Sequence, residues 1–251
     1  GHPLSCVLEW SVAHLNSISP EEVISFASKT APILAILRKN LLDHKDTQII
    51  YTDALPEGFD ADTIRSVYGY TFSLKKITYT DAIPSFNGST IFISSSDEIG
   101  TIDLPSEIDF HISLHASLGS ILVVNGSQNK SYISEIQHVR RRETVAMTPV
   151  NSLAALTSLI AQSPKDIDKN NRSKDKASTL ASIKEITNSY SNALVASSGL
   201  SMQYAIMMGL IDYAQENHAG KPIKFIVPTN CYGGTNDQAR RVAACLDNVE
   251  V

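Results

Sequence analysis

Short β-branched runs alternate with helix-patterned segments along most of this chain, and that alternation restricts it to the α/β class more than any other feature does. "TQIIYT", "KKITYT", "STIFISS", "DFHISLH" and "SILVVN" are separated by Asp, Pro, Gly and Ser, as strands bounded by turns are. "DADTIRSVYG" reads as a helix between two of them. Ser19-Pro20-Glu21-Glu22 is a capping-box pattern with proline at the first helical position. Behind it Val23, Ile24, Phe26, Ile33, Ile36, Leu37 and Leu41 supply a broad apolar face, so a helix is expected from about residue 20 to 41. The expected architecture is a sheet with crossover helices, with some strands close enough in sequence to form hairpins.

The second half begins with a helix over "MTPVNSLAALTSLIA", started near Thr148 or Asn151. Residues 163–178, "SPKDIDKNNRSKDKAS", are highly charged and lack aromatics, which reads as a linker or mobile loop. After it come a helix at about 176–188, a strand at 192–197, a turn, a buried helix at 201–216, a strand "IKFIVPT", a turn, a helix "TNDQARRVAACL", and a strand beginning at "NVEV". The expected division is an N-terminal α/β domain over 1–162, the linker over 163–178, and a further domain starting at 179 and running to 251.

Several functional classes are disfavoured by composition. The net charge of -5 argues against nucleic acid as a partner, because binders of that polyanion carry a dominant basic face. Cys6, Cys231 and Cys245 are odd in number and lack metal-ligand spacing, so they read as reduced thiols of a cytoplasmic protein without a structural zinc site. No apolar run approaches the roughly 18 residues that span a bilayer, so no membrane partner is expected. His111 and His115 are four apart, but their β-branched context points to a strand, where that spacing separates them too far for one metal. Arg140, Arg141 and Arg142 read as a solvated face or as salt-bridge donors.

Two turns after the linker stand out because each joins an expected strand to an expected helix. In a parallel sheet such turns lie at the carboxyl ends of strands, where open α/β folds bind ligands. "SSGL" can offer the N–H groups of Gly199 and Leu200, with the Ser198 hydroxyl nearby, to a phosphate. "NCYGGT" places Tyr232 beside two glycines, where a flat ring can stack on it.

"NALVASSGLSMQYAIMMGL", followed by "FIVPTNCYGGTNDQARRVA", resembles the pyridoxal-phosphate enzymes of cysteine and methionine metabolism, the cystathionine γ-synthase-like transsulfuration enzymes. The resemblance covers about residues 175 to 251. It implies the beginning of a fold-type I, aspartate aminotransferase-like large domain, with pyridoxal 5'-phosphate as cofactor. By the same implication Ser198, Gly199 and Leu200 hold the phosphate, while Tyr232 stacks on the ring and assists proton transfer as the catalytic residue. Leu200 stands where the family usually has Met, which matters little if its N–H does the binding. The implied activity is elimination or replacement at the β- or γ-carbon of a small amino-acid substrate, by a lyase or transferase assembled as a homo-oligomer. In the region of the family's Tyr-x-Arg segment, "KDIDKNNRS", Arg172 is the nearby arginine. No lysine in the chain matches the family's Schiff-base motif, so these residues are expected to be the front part of a longer enzyme. The alternative from another class is a non-catalytic ligand-binding or regulatory α/β protein whose turns only close its strands.

Overall fold

The computed structural model describes residues 1–78, 82–96, 98–161 and 169–251. Its centre is a mixed sheet of six strands in the order β1-β6-β5-β4-β2-β3, and the chain is α/β. The strands are β1 (Val23–Phe26), β2 (Thr47–Tyr51), β3 (Ser73–Lys76), β4 (Ser89–Ser95), β5 (Phe110–His115) and β6 (Gly119–Val124). β3, β2, β4 and β5 run parallel, while β6 turns back on β5 as a hairpin and β1 pairs antiparallel with β6. Every residue of β5 and β6 is buried; β6 ends in the continuous apolar run Ile121–Val124, whereas β5 alternates Phe110, Ile112 and Leu114 with His111, Ser113 and His115.

The alternation of side chains sends two sets of residues to opposite faces. On one face Ile24, Phe26, Ile49, Ile91, Phe110 and Leu122 meet helices α2 (Ala31–Leu42) and α4 (Ser131–Arg142), through Ile33, Ile36, Tyr132 and Ile136. On the other face Val23, Ile121 and Val123 meet α1 (Pro3–Leu15) and α5 (Pro149–Ala161), through Leu8, Val12 and Ala155. Fully burying side chains of this size stabilises the fold by about 1.5–3 kcal/mol each.

The expected helix over 20–41 is corrected. Ser19 does head a capping box, but it caps only a 3-10 turn at Pro20–Glu22, which leads straight into β1. The apolar side chains of Val23, Ile24 and Phe26 are consumed on the two faces of the sheet's end strand rather than on one helical stripe. The helix proper starts at Ala31, with Pro32 in its first turn, where a missing N–H does no harm. α1 was carried by a signal the pattern reading passed over: Pro3 at its start with Leu8, Val12 and Ala13 on one buried face, capped by His2.

After α5 the structure departs further from expectation. Residues 162–168, the last of the expected N-terminal domain and the first six of the expected linker, lie outside the described residues. α6 (Lys169–Thr187) begins earlier than position 176, and the side chain of Arg172 lies outside the described residues. No strand forms at 192–197; those residues have no regular structure and are mostly exposed. The "IKFIVPT" strand shrinks to β7 (Ile223–Lys224), paired in parallel with β8 (Val249–Glu250). A third core joins α7 (Gly199–Asn217) to α8 (Gly233–Ala243) through Tyr204, Met207, Met208, Ile211, Ala239 and Val242. Only that stripe of α7 is buried: Ile206, Leu210 and Tyr213 are exposed, so the expected wholly buried helix is half covered.

Two buried ionisable groups make the fold testable. Glu9 of α1 pairs with Arg140 of α4 and accepts hydrogen bonds from the Ser25 backbone N–H (2.9 Å) and hydroxyl (2.7 Å). Removing one partner strands the other's charge. Glu9→Gln is therefore expected to lower unfolding free energy by about 3 kcal/mol in urea titration. His111 is 5 % exposed, and burial, reinforced by neighbouring His115, pushes its imidazole down from 6.5 to about 4. The unfolded chain therefore takes up this proton before the folded one does. Stability from this group is present above pH 6.5 and is expected to fall as pH drops from 6.5 toward 4. His111→Gln should flatten that part of the curve of urea midpoint against pH, relative to the parent.

Candidate anion site at two helix N-termini

Ser198 caps α7 from an extended backbone (φ -160°, ψ 167°), and its hydroxyl accepts from the Ser201 N–H at 3.1 Å. Ser201 Oγ in turn accepts from the Ser198 N–H at 2.8 Å. This reciprocal cap commits the Ser198 hydroxyl to the helix itself. Gly199 and Leu200 are then the first residues of the helix, whose leading N–H groups have no intrahelical acceptor and carry the positive end of the helix dipole. A Cβ added at Gly199 would have nothing within 4 Å, so no neighbouring group crowds this residue at the start of the helix.

Tyr232 is the residue immediately before α8. The two termini lie side by side, and Gly234 is the contact point. A Cβ there would come within 2.6 Å of the Tyr232 ring, 2.9 Å of Arg142 Nη1 and 3.1 Å of Leu200 Cδ1. Side-chain bonds fix the arrangement. Thr235 Oγ1 donates to Gln203 Oε1 (2.9 Å), Gln203 Nε2 donates to the Thr235 carbonyl (3.3 Å), and Gln238 Nε2 donates to the Leu200 carbonyl (3.0 Å). Gln238 is almost fully buried, which makes it the strut between the two helices.

The third wall comes from a part of the chain about ninety residues away, the C-terminal turn of α4. Arg142 Nη1 donates to the Tyr232 hydroxyl at 3.3 Å, and Arg142 Nε lies 4.0 Å from Asp237. His138 Nε2 meets the same Asp237 carboxylate at 2.7 Å. Leu200 and Tyr232 are thus brought together with a guanidinium that sequence reasoning placed among salt-bridge donors. That reading holds for Arg140, which pairs with Glu9. Arg142, Gln203 and Gln238 were missed, and only the run "HVRRRE" carried any signal for the first of them. Tyr232 is 66 % exposed, so one ring face is available for stacking. Lys224, the nearest lysine in sequence to this turn, is paired with Glu250 at 2.9 Å. Among the described residues no three His, Cys, Asp or Glu side chains cluster as a metal site, and no helix is long and apolar enough to cross a membrane. Chemically, the site can hold an anion against two N-termini and an arginine, beside an aromatic ring with a hydroxyl.

No protein-family model and no curated protein matches this chain. Among solved structures it is similar to L-threonine-O-3-phosphate decarboxylase from Porphyromonas gingivalis, at 11% identity and a TM-score of 0.39, over 72% of this chain and 66% of that one. It is also similar to cystathionine gamma synthase from Xanthomonas oryzae pv. oryzae, at 12% identity and a TM-score of 0.38, over 64% of this chain and 52% of that one. A third is the aminotransferase TlmJ from Streptoalloteichus hindustanus, at 9% identity and a TM-score of 0.29, over 57% of this chain and 49% of that one. The chain thus spans about half to two-thirds of the length of these structures.

Gly234→Ala tests the packing of the site. The clashing atoms belong to side chains that can move, and alanine favours the helix by about 1 kcal/mol, so the variant is expected to fold with stability within about 1 kcal/mol of the parent. The Tyr232 ring and Arg142 should be displaced, read as changed Tyr232 ring resonances and loss of the contact between Arg142 and Tyr232.

Proposed function

We infer that residues from about 179 to 251 begin a pyridoxal-phosphate-binding domain, and that the protein acts on a small amino-acid substrate in sulfur amino-acid metabolism. The observation that supports this reading most is the convergence of the α7 and α8 N-termini on Gly234, with Leu200, Tyr232 and Arg142 around it.

The residues present fit the phosphate and ring of that cofactor. Gly199 and Leu200 give N–H groups without an intrahelical acceptor, and anions bind favourably at such termini. Ser198 acts here as the cap that holds those N–H groups outward. Arg142 adds positive charge and, by its bond to the Tyr232 hydroxyl, orients a ring whose free face can stack on a pyridine. The same hydroxyl is the group placed to give or take a proton beside the ring. When bound, pyridoxal phosphate supplies an electron sink for bond breaking at an amino acid's α-, β- or γ-position. In this reading the Schiff-base lysine and the carboxylate for the pyridine nitrogen are supplied by chain following Val251, and the reaction is elimination or replacement in a homo-oligomer.

Gly199→Pro separates the anion site from the fold. The preceding residue is extended and position 199 is the first of the helix, so proline fits the backbone there and removes one N–H. The variant is expected to keep its stability and to bind pyridoxal phosphate about tenfold more weakly, the loss of one hydrogen bond to a charged group. Pyridoxal, which lacks the phosphate, should bind the parent and the variant alike. Equal affinity of the parent for the two compounds, measured by fluorescence titration, would rule out this phosphate site. On the natural protein, an intact mass above 27.3 kDa together with visible absorbance from bound cofactor is the result expected.

A further inference from the structure

A second site stands on the N-terminal sheet, independent of the cofactor reading. The chain leaves β2 through α3 (Ala61–Ser66) to reach β3 on one side, then crosses back to lay β4 on β2's other side. Open α/β sheets bind ligands beyond the carboxyl ends of their strands at such a reversal. A cavity of about 370 Å³ lies there, lined by residues at or just after the ends of β2, β3, β4 and β5, among them Thr52, Thr78, Ser96 and His115. That is within the size range of small-molecule sites.

The lining is unusual for a sheet face. Where helices α1 and α5 cover β1 and β6 with apolar packing, β4 and β5 turn Ser94, His111 and Ser113 into the cavity. His111 is stacked on Phe92, and its Nε2 shares a hydrogen bond of 2.8 Å with Ser94 Oγ. Its Nδ1 is buried with no hydrogen-bond partner among the described residues. A buried polar nitrogen left alone is unfavourable by about 1–3 kcal/mol, so an orphan in the wall of a cavity points to a ligand that completes it. Ile77, Ile102 and Ile108 add apolar surface to this otherwise largely polar lining.

Charge decides the class of ligand. Glu98 and Asp103 line the cavity and are exposed at its mouth, and no lysine or arginine lines it among the described residues. The sequence has no lysine or arginine at all between Lys76 and Lys130, where it has Asp81, Asp97, Glu98, Asp103, Glu107 and Asp109. The Glu98 and Asp103 carboxylates, with no lining cation beside them among the described residues, attract cations and repel carboxylates and phosphates. We propose that this cavity binds a small organic monocation, a primary amine on an apolar or aromatic body, with the ammonium at Glu98 and Asp103 and a polar group of the body on His111 Nδ1.

Three compounds sharing one phenol ring test the assignment: tyramine (cationic), tyrosol (neutral) and 4-hydroxyphenylacetate (anionic). Each is titrated into the full chain while the imidazole nitrogens of His111 are followed by long-range proton–nitrogen NMR. Tyramine is expected to shift His111 Nδ1 and to saturate with a dissociation constant of about 1 mM, about fivefold below that of 4-hydroxyphenylacetate. In a Glu98→Gln/Asp103→Asn variant the preference for tyramine should vanish while tyrosol binds as before. No movement of His111 with tyramine, equal affinity for the anion, or an unchanged preference in the variant would each overturn the proposal.

Discussion

The buried pair between Arg38 of α2 and Glu143, the residue that ends α4, is the interaction on which the two halves of this molecule depend. Arg38 is 3 % exposed and uses its whole guanidinium. Two nitrogens face the Glu143 carboxylate, one of them at 2.9 Å. Nε donates to the Tyr70 hydroxyl at 3.3 Å and Nη2 to the Tyr204 hydroxyl at 3.2 Å. Burial pushes both tyrosines up from their usual range, so they remain neutral partners. Because Tyr204 belongs to α7, this one arginine ties the N-terminal sheet layer to the third core. Its planar, always-charged fork suits four elements meeting at one point in a way that lysine does not.

Around that pair, the last turn of α4 acts as a distribution point. Arg140 reaches one way to Glu9 under the sheet, Glu143 reaches Arg38, and His138 and Arg142 reach Asp237 and Tyr232 at the head of α8. Glu135, one turn earlier, pairs with Arg241 at 2.9 Å. Basic residues in the last turn of a helix are already favoured by its dipole. Here that placement also aims them at three different parts of the fold, so the geometry of the candidate anion site is inherited from how α4 packs on the sheet.

Much of the secondary structure was readable because local pattern and final environment agreed. β2, β4 and β6 carry the β-branched residues of buried strands, β5 alternates apolar with polar side chains, and α5 and α8 follow the expected spacing of apolar residues. The failures have one physical origin. Residues 20–41 satisfy a helical pattern and a capping box, yet the demand for a sixth strand beside β6 takes the first three apolar residues, Val23, Ile24 and Phe26, out of it. "NALVASS" has strand composition but finds no neighbour to pair with, and a strand without a partner leaves its backbone groups to water. The anion site was half readable: Ser198, Gly199, Leu200 and Tyr232 lie in two turns whose residue types announce them. Arg142, Gln203 and Gln238 do not, because arginine and glutamine are common on any helix.

What the sequence by itself determined is local: the α/β class, the start of α7 at Ser198-Gly199, the small-residue turn before α8, and an acidic stretch without a single basic residue between Lys76 and Lys130. These follow from backbone preferences and charge, which act over a few residues. The tertiary structure alone decided which strands pair, that the N-termini of α7 and α8 meet at Gly234, that Arg142 faces Tyr232, and that His111 has one nitrogen without a partner among the described residues. Each of these joins residues far apart in the chain, and long-range packing and desolvation of buried polar groups set them, not any pattern within a window of sequence.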